Sequence, residues 1–347
     1  MKKRGKIILF TSIGVVSALV LSTLVGVGCG LYFTFLHRYK GRNIVYDWSE
    51  NDSFTKDNVV TIQKDKNKDF VILNLADVQM CDLEDIKHMP LIHDEITYLV
   101  DTVKPDLITL TGDQTWSNEN LVSLKAIIRW LDGYKIPYAP VFGNHDIGNE
   151  YNSAVASLNK CCDLYEGGKY SLFRRGPSNI GALGNYAINI EEEGKIIKTL
   201  FMVDYGVNDE ITQQQINYFK WIAEGNKSLN GGEYTSVMAF MHKPISEFYV
   251  YGSYTNQDSF FNTFKTRGLT DVVCGHNHEF NYTVENEGVR LTYACKTDEL
   301  VYYYDDGTKY LNGGTSFTLT GNDVIIKNHY VDRDKYHIPG SDNICAD

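Results

Sequence analysis

The sequence predicts an α/β layered fold, and three observations carry that prediction. From about residue 70, short apolar runs ending in Gly, Asp or Asn alternate with stretches of helical periodicity. Beyond about residue 280, short strand-like pieces take over, separated by turns such as Asp305-Asp306-Gly307, Asn312-Gly313-Gly314 and Gly321-Asn322-Asp323. With 347 residues and 43% hydrophobic content, the chain can bury one sizeable core, so one folded domain is expected.

The amino-terminal segment differs from everything after it. Residues 7–36 contain no charged side chain, and the run exceeds the roughly 20 residues that cross a bilayer. It is too long for a cleaved signal peptide, which shares its basic start and apolar centre. A lipid-attached Cys29 would leave the apolar stretch 31–36 as an odd mature start. Lys2, Lys3, Arg4 and Lys6 precede the run and Arg38, Lys40 and Arg42 follow it. That bias orients residues 1–6 to the cytoplasm and the rest of the chain outside. Residues 37–66 are polar and charged and read as a stalk. A catalytic domain is expected over 67–335 and a tail over 336–347.

Strands are expected at 70–75 running into Asp77, at 107–110 running into Gly112-Asp113, and at 138–142 running into Gly143-Asn144-His145-Asp146, with helices near 90–103 and 119–132 between them. Three more buried strands are expected at 199–203, 237–241 and 272–274, two of which run straight into histidines. The later pieces, 280–284, 289–294, 315–319 and 324–330, extend the sheets of a sandwich and form no separate domain.

A net charge of -11 excludes binding to nucleic acid by general electrostatic attraction. Six cysteines follow the apolar run: Cys81, Cys161, Cys162, Cys274, Cys295 and Cys345. An even number permits disulfides in an exported domain without selecting a pairing, and the lack of a C-x-x-C pair argues against a thiolate zinc site. Asn51, Asn226 and Asn281 match the glycosylation acceptor pattern.

Five segments offer oxygen or imidazole nitrogen just beyond expected strand ends: Asp77-Val78-Gln79, Gly112-Asp113, Gly143 to Asp146, His242, and Gly275-His276-Asn277-His278. Sites in open α/β sheets form there. Alone, Asp77 or Asp113 reads as a strand-end cap, His242 as a core histidine, and Gly143 or Gly275 as a turn residue. Independent caps give no reason for three of nine histidines to follow strand ends in this order. His88, His93, His329 and His337 lack such a setting and read as surface or structural.

Two divalent ions about 3.5 to 4 Å apart need a shared carboxylate plus imidazole and amide ligands. Asp113 suits the bridge, with Asp77, Gln79 and His278 on one ion and Asn144, His242 and His276 on the other. Such a pair turns a bound water into hydroxide and polarises the phosphoryl oxygen it attacks. Asp146 is placed to orient the imidazole of His145, which would stabilise the transferring phosphoryl group or protonate the departing oxygen.

At these residues the chain resembles the calcineurin-like metallophosphoesterase superfamily, whose pattern is D-x-H, G-D, G-N-H-[DE], a lone H, and G-H-x-H. Val141 to Asp146, Phe240 to Glu247, and Asp204-Tyr205-Gly206 leading to Gln213 through Phe219 are most similar to the single-domain branch related to purple acid phosphatases and Dcr2-like phosphatases. The resemblance implies a four-layer α/β/β/α sandwich and hydrolysis of phosphomonoesters or phosphodiesters. Gln79 stands where the pattern has histidine, a variant also found in relatives that trim phosphoethanolamine from lipid-linked glycans. Trp116 stands where purple enzymes place a tyrosine, so a pair of manganese, zinc or ferrous ions fits better than a ferric site.

The functional expectation is a membrane-anchored, two-metal phosphoester hydrolase with a phosphatase or phosphodiesterase activity and a catalytic domain outside the cytoplasm. Tyr249, Tyr251 and Tyr254 follow His242-Lys243-Pro244 in a loop that would border the substrate. Two alternatives stay open: a phosphodiesterase acting on a lipid or glycolipid headgroup, and a metal-binding protein without catalysis.

Overall fold

The computed structural model describes residues 46–80, 89–116, 120–146, 154–206, 210–248, 258–297, 311–321 and 323–331. The expected anchor at 7–36, the 336–347 tail, His88, His337, Cys81, Cys345 and the three loop tyrosines lie outside them. Among the described residues no helix is long and apolar enough to cross a membrane.

The chain runs through β1 (Val60–Gln63), β2 (Phe70–Leu75), α1 (Met89–Val103), β3 (Leu107–Thr111), α2 (Asn120–Tyr134), β4 (Tyr138–Val141), α3 (Ala154–Gly167), β5 (Tyr186–Glu192) and β6 (Lys195–Met202). It continues through α4 (Gln213–Leu229), β7 (Ser236–Phe240), α5 (Asp258–Phe264), β8 (Leu269–Cys274), β9 (Thr283–Asn286), β10 (Val289–Tyr293), β11 (Gly313–Thr320) and β12 (Asp323–Tyr330). One sheet has the order β1-β5-β6-β7-β8-β10-β9, the other β12-β11-β2-β3-β4. The centres of both sheets are parallel: β6, β7, β8 and β10 in the first, β2, β3 and β4 in the second.

Alternating side chains separate the two faces of the larger sheet. Leu200, Met202, Met238, Phe240 and Val273 enter the core shared with the smaller sheet, while Phe201, Val203, Val237, Ala239, Met241 and Val272 pack with α4 and α5. Phe240 meets Phe317 of β11 edge-on at 6.1 Å, and Tyr186 Oη donates to the Pro140 carbonyl at 2.8 Å, which joins the two sheets face to face. Ile96 and Leu99 of α1 and Leu124, Ile127 and Ile128 of α2 belong to the core of the smaller sheet, and α1 contacts β2 and β11. The sheets thus lie between helices, with β9 to β12 extending both sheets rather than forming a unit of their own.

Three expectations need correction. The stretch 37–66 is not a stalk where the structure describes it, because it carries apolar groups with a groove to fill. Trp48 is buried with its ring edge-on to Tyr218 and Trp221 of α4, Phe54 lies against Trp221, and β1 pairs in parallel with β5. A Cβ on Gly225 would come within 2.2 Å of the Phe54 ring, so the helix leaves room for it. Asn226 cannot accept a glycan, since it is fully buried and bonded to Asn189 and Thr199. The strand expected at 280–284 begins only at Thr283, because Phe280 and Tyr282 turn onto the Tyr293 ring. Cys161, Cys162, Cys274 and Cys295 are buried free thiols.

Candidate active site

The strands β2, β3, β4, β7 and β8 deliver their carboxyl ends to one place, and the loops that leave them are bent. Asp77, Gln79, Asp113 and His276 all adopt positive φ, at 51°, 46°, 51° and 71°. Non-glycine residues rarely sit there, and such backbone persists only where its surroundings enforce it. Here the enforcement is local. The Asp77 and Gln79 N–H groups donate to the carbonyls of Gly112 and Asp113, and both Asp77 carboxylate oxygens accept His276 N, at 3.1 and 3.0 Å.

Two glycines are required by close approach. A Cβ on Gly143 would lie 2.1 Å from Asp113 Oδ1, and one on Gly275 would lie 2.4 Å from Asp77 Oδ2.

His242 is fixed by a group that sequence reading missed, the Thr111 carbonyl, which takes a hydrogen bond from Nδ1 at 2.9 Å. A carbonyl only accepts, so Nδ1 carries the proton and Nε2 is left as a donor of its lone pair. No residue type announces such a contact. Around Nε2 stand Asn144 Oδ1 at 3.0 Å, Asp113 Oδ2 at 3.2 Å and His276 Nδ1 at 3.2 Å. Donor atoms of Asp113, His242 and His276 all lie within 4.8 Å of one another. Several lone pairs converging in a buried site repel unless a cation sits among them.

The second half of the site is beside the first. His278 Nε2 is 3.5 Å from Asp77 Oδ1 and 3.0 Å from Gln79 Nε2. Half a turn of the Gln79 amide presents its oxygen instead of its nitrogen. Among the described residues Asp113, His242 and His276 thus converge with Asn144 beside them, and Asp77, Gln79 and His278 meet one another nearby, with the Asp113 carboxylate against His242 and His145.

Electrostatics follow the crowding. Burial raises the pKa of Asp113, yet His242 and His145 outweigh it and hold the carboxyl well below the usual range. Burial lowers His242, but Asp113 overrides this and lifts it to about 9. Burial and the neighbouring His242 bring His276 down to about 4.

The expected pairing of Asp146 with His145 is contradicted. Asp146 is buried beneath the loop and accepts from Thr115 N at 3.0 Å and Gly143 N at 2.9 Å, because those backbone donors have no ladder partner there. Burial and the charge of Asp113 raise its pKa to about 7. His145 instead donates its backbone N–H to Asp113 Oδ1 at 2.8 Å, and its Nε2 lies 3.7 Å from Asp113 Oδ2 with the side chain 26% exposed. Burial lowers its pKa against the pull of Asp113. The neutral ring therefore prevails at neutral pH, which favours hydrogen-bond donation over delivery of a proton. Of the remaining histidines, His93 rests on Trp130 and His329 bonds Ser316, as surface or structural groups do.

A family model for calcineurin-like phosphoesterase matches residues 70–280, more than half of the chain. Phosphatase DCR2 of Saccharomyces cerevisiae is 26% identical over 279 residues, covering 65% of this chain and 47% of that protein. The chain thus spans about half the length of that curated relative. The crystal structure of a dimetal phosphatase from Danio rerio aligns with a TM-score of 0.53 at 13% identity, covering 75% of this chain and 95% of that one, a likeness of fold.

Proposed function

Because the chain belongs to the calcineurin-like phosphoesterase family, with a Dcr2-like relationship, we propose that it is a phosphoester hydrolase dependent on two divalent metal ions. The observation that carries the proposal is the convergence of lone pairs from five strand-end loops on a buried cluster rich in imidazole and carboxylate.

The donor set fits such ions. Asp77, Gln79 and His278 would hold one, Asn144, His242 and His276 the other, and Asp113 both. Mixed nitrogen and oxygen ligands without thiolate or phenolate suit manganese, zinc or ferrous iron. When bound, the pair supplies positive charge at the phosphoryl group and an activated water. The chain's own groups do the rest. Thr111 keeps His242 in the ligating tautomer. Asp113 holds the loop of His145 through its backbone N–H. From the mouth of the cluster, a His145 ring N–H donates to an oxygen of the phosphoryl group and orients it.

A second reading, action on a lipid or glycolipid headgroup, is favoured by where the amino-terminal segment meets the domain. The Tyr46 carbonyl accepts from Ser178 N at 2.9 Å, and Asn179 bonds Trp48, in the stretch that leads to β5. Asp204, just past the carboxyl end of β6, bonds Asn185 of the same stretch, so Tyr46 lies at the site's end of the sandwich. A single-pass anchor at 7–36 would leave nine residues before Tyr46, a reach of at most about 35 Å. Such an anchor would keep the site's end near a bilayer surface, which supports a headgroup substrate.

Assays with p-nitrophenyl phosphate and bis-p-nitrophenyl phosphate, after loading with manganese or zinc, test both readings. Hydrolysis of the monoester supports a phosphatase, and preference for the diester supports the headgroup reading. Two bound ions with no turnover of either ester would leave only a metal-binding protein.

A further inference from the structure

An imidazole that meets a phosphoryl group must be held still, and the residue expected to hold His145 is engaged elsewhere. Asp146 Oδ1 accepts Thr115 N at 3.0 Å and Thr115 Oγ1 at 3.3 Å, and Oδ2 accepts Gly143 N at 2.9 Å. That carboxylate ties the loop after β3 to the loop after β4. One residue further along the first loop, Trp116 N donates to the Met80 carbonyl at 3.1 Å, and Met80 and Thr115 form a β-bridge. These ties present the Trp116 indole to the imidazole of His145. The two rings stack with centroids 3.9 Å apart and planes inclined by 26°.

We propose that Trp116 is a positioning residue for His145: its indole is a plate that confines the imidazole to the orientation facing the metal-ligand cluster. Thr115 and Asp146 hold the loop that carries the plate. The inference rests on the reading that His145 acts on the phosphoryl group. It gives Trp116 a task that the phenolate of a purple site does not have, since indole offers no metal ligand but a larger stacking face. With one side of the ring on Trp116 and its Nε2 edge toward Asp113, the 26% exposed side chain has its rotation restricted from two directions. Stacked aromatic pairs of this kind shift populations roughly three- to tenfold.

The test uses zinc-loaded full chain in detergent, and variants Trp116→Leu and Trp116→Phe. In spectra of isotope-labelled histidine, the His145 ring protons, identified by their loss in His145→Ala, are expected upfield under the indole ring current. They should move downfield in Trp116→Leu and part of the way in Trp116→Phe. With p-nitrophenyl phosphate, Trp116→Leu should lower kcat roughly three- to tenfold at unchanged KM and metal content, Trp116→Phe should recover most of it, and Trp116→Leu should have no effect in the His145→Ala background. Unmoved His145 protons in Trp116→Leu would overturn the stack. An equal loss of kcat with and without His145 would overturn the positioning role. A wild-type protein without turnover would sink the hydrolase reading, while the spectra would still decide whether Trp116 holds the ring.

Discussion

Asp113 is the residue on which the site depends most, because it faces both His242 and His145 from a fully buried position. Asp113→Asn removes the carboxylate that faces two imidazoles and is expected to abolish hydrolysis and to lower bound metal below two ions per chain; both are read by rate assay and metal analysis. His145→Ala leaves the ligands intact, so turnover should fall by about 100-fold or more while metal content stays at the wild-type level. The seven candidate ligands stood out in the sequence because each is a side chain of distinctive chemistry just past an expected strand end. What could not be read was how neighbours share the work. The Thr111 carbonyl on His242 has no side-chain signature, and Asp146, adjacent to His145 in sequence, turns inward because the N–H groups of Thr115 and Gly143 need an acceptor.

At the scale of elements, the runs that feed the site were the most legible. β2 matches its expected limits, and β3, β4, β7 and β8 each contain most of the stretch expected, since each is a short apolar run closed by a polar or glycine residue. The segment 46–59 misled because its charged composition hides three apolar anchors, Trp48, Phe54 and Val59, whose partners lie more than 100 residues away on the later helix and strands. Trp48→Ala should cost about 3 kcal/mol in urea unfolding while leaving kcat unchanged, as expected for a large buried aromatic remote from the ligands. Asp204 supplies an element-scale pH effect. Burial, opposed by N–H groups of Gly206 and Tyr205, raises its pKa to about 8, and its Oδ2 finds no hydrogen-bond partner among the described residues. The unfolded carboxyl titrates near about 3.9. The folded state therefore holds a proton that the unfolded state has lost across this window. Stability attributable to this group is full below about pH 4, declines as pH rises, and is lost through about pH 8. Asp204→Asn should flatten that decline, seen as a smaller difference between urea midpoints at about pH 5 and about pH 8.5.

For the whole molecule, the layering follows from strands that are apolar on both faces: the parallel centres of the two sheets are buried on each side, which demands helices outside and a second sheet inside. That arrangement puts the carboxyl ends of β2, β3, β4, β7 and β8 at one edge, so groups up to 201 positions apart, from Asp77 to His278, meet within a few residues of a strand end. The described amino-terminal segment joins the domain at Tyr46, whose carbonyl accepts Ser178 N in the stretch that leads into β5. The proposed hydrolysis of phosphoesters depends on two divalent ions held in this edge cluster. It is tested most directly by stripping the purified protein with chelator and titrating manganese or zinc back while recording p-nitrophenol release and bound metal. Activity should be absent without metal and reach its plateau as occupancy approaches two ions per chain. Turnover that survives complete stripping, or a chain that binds two ions and hydrolyses neither the monoester nor the diester, would contradict it.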